Sequence, residues 1–141
     1  MRSYESTATI AASAEDVWSV LVDGRSWPSW DSGVTAVEGA IAPGGTVRIR
    51  TEAAPGRAFP VRVTAFEPAS RLEFTGGMPL GLFRGVRTYT LTPDGAGTAF
   101  RMREEYTGPL LGLIWRSMPD LQPSFDRFAT GLRARVESGV R

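Results

Sequence analysis

Residues 98–107, TAFRMREEYT, followed at 121–138 by LQPSFDRFATGLRARVES, decide the fold. In the first run Phe100, Met102, Glu104 and Tyr106 share one face, while Arg101, Arg103 and Glu105 share the other, because successive strand side chains point to opposite sides. The charged face belongs to solvent, so the Phe-Met-Glu-Tyr face turns inward. In the second run Leu121, Phe125, Phe128, Leu132 and Val136 recur every three or four positions and form the apolar stripe of a helix. Pro123 falls in the first turn if that helix starts near Leu121. An inward aromatic strand face and a matching helical stripe predict a helix packed into a sheet.

Upstream, the pattern supplies the rest of that sheet. Strands are expected at 3–10, 34–38, 46–52, 59–66, 71–75 and 85–92, with short Pro- and Gly-containing links between the later ones. Links that short allow only an antiparallel meander, since parallel pairs need long crossovers. Between the first two strands lie two short helices. Ser13 caps the first, Glu15 and Asp16 occupy its first turn, and Ala14, Val17, Trp18 and Leu21 form its apolar face. Trp27-Pro28-Ser29-Trp30 holds the second helix or a turn. The segments 76–84 (GGMPLGLFR) and 108–118 (GPLLGLIWRSM) read as unusually apolar loops.

Composition narrows the chemistry. Among 141 residues there is no His, Cys, Lys or Asn, and all 16 positive side chains are Arg. This excludes ordinary zinc and copper sites, Ser-His and Cys-His nucleophiles, and Schiff-base lysines. No cofactor or metal is expected, and no Gly-rich strand-turn-helix fingerprint points to a nicotinamide. A net charge of +1 with scattered arginines gives no nucleic-acid footprint. The chain has no apolar run of membrane-span length and no signal-peptide core at its start. A single domain over 1–141 and a cytoplasmic location are the expectations.

The order of pieces resembles the helix-grip superfamily, which includes START lipid-transfer domains, birch-pollen-allergen relatives and the bacterial polyketide cyclase/dehydrases often labelled SRPBCC. The matching residues are Ser13-Ala14-Glu15-Asp16-Val17-Trp18 with Leu21 and Asp23, Trp27 and Trp30, Arg71-Leu72-Glu73-Phe74-Thr75-Gly76, Gly97-Thr98-Ala99-Phe100, and Glu104-Glu105-Tyr106-Thr107-Gly108. The resemblance covers nearly the whole chain. It implies an α+β helix-grip fold, with a curved antiparallel sheet wrapped around a long C-terminal helix and a deep apolar cavity between them. The cyclase-like relatives often carry histidines on the last two strands, where Arg87 and Met102 stand here. That departure weakens any transfer of His-dependent chemistry and removes likeness to the iron-bearing ring-hydroxylase branch.

The candidate ligand-binding set is Trp27, Trp30, Phe74, Arg87, Tyr89, Met102, Glu104, Tyr106, Phe125 and Phe128; no catalytic residue is assigned. The two tryptophans either line a cavity or pack beneath the first helix, and Phe125 and Phe128 are first of all core positions. Glu104 is the informative member, because a carboxylate on an apolar face needs a partner or a shifted pKa. Joining the last two strands through Pro93 to Gly97 sets Leu91 opposite Phe100, Tyr89 opposite Met102 and Arg87 opposite Glu104. An inward Arg–Glu ion pair is therefore expected. The loops 76–84 and 108–118 read either as lids or as surfaces packed on the final helix or across a homodimer interface.

The function this favours is binding of a small hydrophobic molecule, lipid-like, polyketide-like or aromatic, between sheet and terminal helix. A cyclase/dehydratase-type enzyme using Arg87, Glu104 or Tyr106 is the alternative, and a chaperone-associated or regulatory interaction module is a third reading resting on fold analogy.

Overall fold

A computed structural model describes residues 1–139. The chain runs β1 (Arg2–Ile10), α1 (Ala14–Leu21), a 3-10 helix (Gly24–Ser29), β2 (Val34–Glu38), β3 (Thr46–Thr51), β4 (Phe59–Glu67) and β5 (Arg71–Gly77). After a short 3-10 turn (Pro79–Gly81) come β6 (Arg84–Asp94), β7 (Gly97–Thr107), α2 (Leu111–Ser117) and α3 (Gln122–Gly139). All seven strands form one antiparallel sheet in the order β1-β7-β6-β5-β4-β3-β2. The meander is as expected, and the first strand closes against the last.

Local chemistry explains the boundaries. The Ser13 hydroxyl accepts from the Asp16 amide at 3.2 Å, satisfying one of the unpaired donors at the start of α1. Pro28 tightens the next segment into a 3-10 helix, and the Trp27 indole inside it donates to the Leu21 carbonyl at 3.1 Å. The β2–β3 and β4–β5 ladders each shift register once, between Val34 and Ala36 and between Val63 and Ala65. Such bulges bend a strand and increase its twist, which curls the sheet around the helix.

α3 lies on the concave side. Phe125, Phe128, Leu132 and Val136 are buried along its inner face, as the periodicity predicts, with Ala129 and Gly131 between them. Gly131 is there for proximity: a Cβ at this position would overlap the Asp31 backbone carbonyl. Polar ties to β1 hold both ends of the helix. Gln122 donates to the Glu5 carbonyl at 2.8 Å, and the Ala11 amide donates to the Glu137 carboxylate at 2.8 Å.

The structure corrects one sequence reading. The segment 108–118 is not a loop but contains α2, which buries Leu111 and turns Trp115 towards β1. Leu111, Ile114, Trp115 and Met118 do carry helical spacing, but the run is short and glycine-flanked, and it hides that signal. The other apolar segment remains mostly a connection, with only Gly76, Gly77 and Arg84 in strands, and at its tip Leu80 is 96% exposed with a positive φ of 61°. The Leu110 amide donates to the Leu82 carbonyl at 3.0 Å, so the two segments brace each other at one end of the grip.

Candidate functional site

The middle of the grip is filled. Trp27 packs edge-on against Phe128 at 5.0 Å between ring centroids, Phe74 against Tyr89 at 5.6 Å, and Tyr89 against Phe128 at 5.7 Å. Trp27 is 1% exposed, Tyr89 0% and Phe128 3%, so almost none of their surface is open to a water-sized neighbour, from outside or within. Phe74, Phe100, Met102 and Leu132 complete this sealed core. Of the candidate set, Trp27, Phe74, Met102 and Phe128 therefore lie in packed interior. Trp30 flanks it half-buried, 5.2 Å from Phe128. The deep hollow expected between sheet and helix is occupied by these rings. A depression of about 630 Å³ is lined by Thr7, Ala8, Thr9, Thr90, Thr92, Ala99, Phe100, Arg101 and Arg133, so it joins threonines of the outer sheet face to the edge of this core and to α3.

Towards the end braced by α2 the packing changes character. The β6–β7 hairpin pairs Leu91 with Phe100, Tyr89 with Met102 and Arg87 with Glu104. On the other side of β7, the β1 register sets Tyr4 opposite Glu104. The carboxylate thus stands between a guanidinium and a phenol on one inward-facing row. Arg87 Nε donates to Glu104 Oε1 at 2.6 Å, and the side chains are 28% and 16% exposed. The guanidinium also lies over the Phe125 ring, 4.7 Å from its centroid, a favourable cation–π position. Gly85 makes room for the acid, since a Cβ there would come within 2.5 Å of Glu104 Oε2.

Two hydroxyls complete the cluster. Tyr89 and Tyr106 are buried, and neither phenolic oxygen makes a well-formed hydrogen bond among the described residues, although the Arg87 guanidinium is near enough to act on both. Burial pushes both phenols above their ordinary pKa, Glu104 adds to the rise, and the Arg87 charge opposes it without prevailing. Both therefore remain protonated at neutral pH. Burial works against the Arg87 charge, but Glu104 and the two tyrosines outweigh it and hold the guanidinium above its usual value. Around this polar group stand Tyr4 stacked on Trp115 at 5.3 Å, Tyr106 at 5.7 Å from Trp115, and Phe83 stacked on Tyr106 at 5.9 Å.

Tyr4, Phe83 and Trp115 were not among the sequence candidates. Tyr4 shares inward parity with Ala8 and Ile10, but its place beside Glu104 depends on the long-range β1–β7 pairing. On the outer face, Arg101 and Arg103 hold Glu5, which confirms the solvent assignment of that row.

Residues 1–137 match the family described as polyketide cyclase / dehydrase and lipid transport. The chain belongs to that family. No curated protein matched it. Among solved structures it is similar to protein MLL2253 from Mesorhizobium loti, with a TM-score of 0.77 at 20% identity over 99% of this chain and 100% of that one. It is also similar to the Zhui aromatase/cyclase from a Streptomyces species, with a TM-score of 0.75 at 18% identity over 99% and 96% of the two chains. A START superfamily protein from Mycobacterium smegmatis gives 0.70 at 19% identity over 96% and 97%. These similarities establish the helix-grip fold. Among the described residues no helix is long and apolar enough to cross a membrane.

Proposed function

We propose that this protein binds a small, mostly apolar molecule at the α2 end of the grip, with the polar group of that molecule held by Arg87, Glu104, Tyr89 and Tyr106. One observation carries the reading: two buried tyrosine hydroxyls without a well-formed hydrogen bond among the described residues sit beside a part-buried ion pair. An unsatisfied buried hydroxyl costs about 1–3 kcal/mol, and native structures keep few of them. A ligand oxygen supplies the missing partner once the closed packing at this end opens to admit it. Tyr4, Phe83, Trp115 and Phe125 provide the aromatic walls. Family membership agrees with a lipid-like, polyketide-like or aromatic ligand.

Both phenols are shifted away from neutrality, so they act as hydrogen-bond groups and not as bases. The test is organic extraction and native mass spectrometry of freshly purified protein, followed by titration of the recovered compound into Tyr106→Phe. Removing the orphan hydroxyl is expected to leave the ligand-free protein as stable as wild type or about 1 kcal/mol more so, while weakening binding about fivefold or more. A loss of stability with unchanged affinity would assign the hydroxyl to the fold. Turnover of the recovered compound would move the protein to the cyclase/dehydratase reading.

A further inference from the structure

Resting on that reading of the site, we infer that the polar group of the ligand is a neutral oxygen, a ketone, ester or hydroxyl, and that Glu104 excludes carboxylates. Arg87 is matched to Glu104 at 2.6 Å, so this inward-facing pair carries no net charge, and the next guanidinium, that of Arg2, stands at the exposed edge over Trp115, 5.4 Å from its ring centroid. With the two side chains 28% and 16% exposed, water screens a third charge placed beside them only in part. A carboxylate entering to meet Arg87 would lie against Glu104, and an ammonium entering to meet Glu104 would lie against Arg87. Like charges held together with little solvent repel strongly, which is how a pocket rejects a wrong ligand of the right shape.

The hydrogen-bond inventory says what remains to be satisfied. Arg87 uses Nε on Glu104, and the rest of its guanidinium is near the Tyr89 and Tyr106 hydroxyls without a well-formed hydrogen bond to either. On the accepting side, Glu104 Oε2 receives no donor from the described residues. Each phenol oxygen can accept as well as donate, yet the guanidinium N–H and phenol O–H groups still outnumber the acceptors, of which Glu104 Oε2 carries the charge. A carbonyl oxygen fits the donors. A hydroxyl fits both, taking a hydrogen bond from Arg87 or a tyrosine and giving one to Oε2. A carboxylate has only acceptors and leaves Oε2 facing more negative charge.

The test uses two matched series with the same apolar body and different heads: 2-tridecanone, 1-dodecanol and dodecanoate, and 2-acetylnaphthalene, 2-naphthol and 2-naphthoate. Each is titrated by calorimetry at pH 7.5. For whichever body binds, the neutral members are expected to bind about tenfold or more tighter than the carboxylate. Glu104→Gln, which leaves Arg87 unmatched, is expected to close or invert that gap. Should that variant not fold, Gly85→Ala displaces the same carboxylate without removing it and is expected to narrow the gap. Equal or tighter carboxylate binding by wild type overturns the inference and leaves the ligand-binding reading standing. A neutral preference that survives with Glu104 removed overturns the role given to Glu104. If no member of either series binds, the compound extracted from purified protein decides: a neutral oxygen compound supports the inference, a carboxylic acid overturns it, and no compound at all overturns both this inference and the function it rests on.

Discussion

Cutting the Arg87–Glu104 pair from one side should cost more than half of what cutting it from both sides costs. The magnitude follows from where the pair lies. Exposed ion pairs are worth about 0–1 kcal/mol, whereas removing one partner of a buried pair costs about 3–5 kcal/mol. With side chains 28% and 16% exposed, and with Tyr89, Tyr106 and Phe125 packed around it, this pair sits between those limits and nearer the second. Glu104→Gln keeps an acceptor beside Arg87 but removes the matching charge, for an expected loss of about 1.5–3 kcal/mol. Arg87→Met also removes the stacking on Phe125, so about 2–4 kcal/mol is expected. The double variant should be less destabilised than the sum by about 1–2 kcal/mol, because neither remaining side chain carries an unmatched charge. Urea unfolding of the four proteins at pH 7.5 measures this, and repetition in 1 M NaCl should change the coupling little, since partly buried charges are poorly screened. A coupling below about 0.5 kcal/mol, within the usual scatter for independent sites, would refute the claim that the two charges depend on each other.

Three further outcomes test the frame around the site. Phe128→Ala should cost about 3–5 kcal/mol in denaturant unfolding, because the ring joins Trp27, Trp30 and Tyr89; a cost under about 1 kcal/mol would contradict a filled core. Gly131→Ala, which gains roughly 1 kcal/mol in an ordinary helix interior, should here lose about 1–3 kcal/mol against the Asp31 carbonyl, and a raised Tm would show that α3 does not approach so closely. Glu5 is held below its ordinary pKa of 4.5, first by hydrogen bonding to Arg101, against the opposing effect of burial. A depressed folded-state pKa contributes stability above pH 4.5 that is lost as pH falls through the lower folded value. Wild type should therefore lose more stability than Glu5→Gln on acidification, and parallel curves for the two would count against the contact.

Much of the fold was legible because it depends on neighbours in the chain. Two-residue alternation placed Glu104 inward with Phe100, Met102 and Tyr106, and a short Pro93–Gly97 link left one simple register for the hairpin. Arg87 consequently meets Glu104 in the structure at the position the arithmetic assigned. The helical stripe through Phe125, Phe128, Leu132 and Val136 was equally local, and so was the Ser13 cap of α1.

Tertiary structure decided what fills the grip and what is left unsatisfied. A Phe or Trp on an inward face is the same residue whether it lines a hollow or meets another ring, and only the curl of the sheet against α3 closes Trp27, Phe74, Tyr89 and Phe128 onto one another. The pairing of β1 with β7, distant in sequence, brings Tyr4 to Glu104, and α2 carries Trp115 onto Tyr4. Alternation says that Tyr89 and Tyr106 point inward. Whether their hydroxyls find partners depends on distances of a few ångströms set by the packing of β1, α2 and α3, and no periodicity encodes these. The sequence by itself therefore determined the frame and the inward ion pair, through short-range geometry. The sealed core and the two orphan hydroxyls beside that pair came only from contacts between segments far apart in the chain.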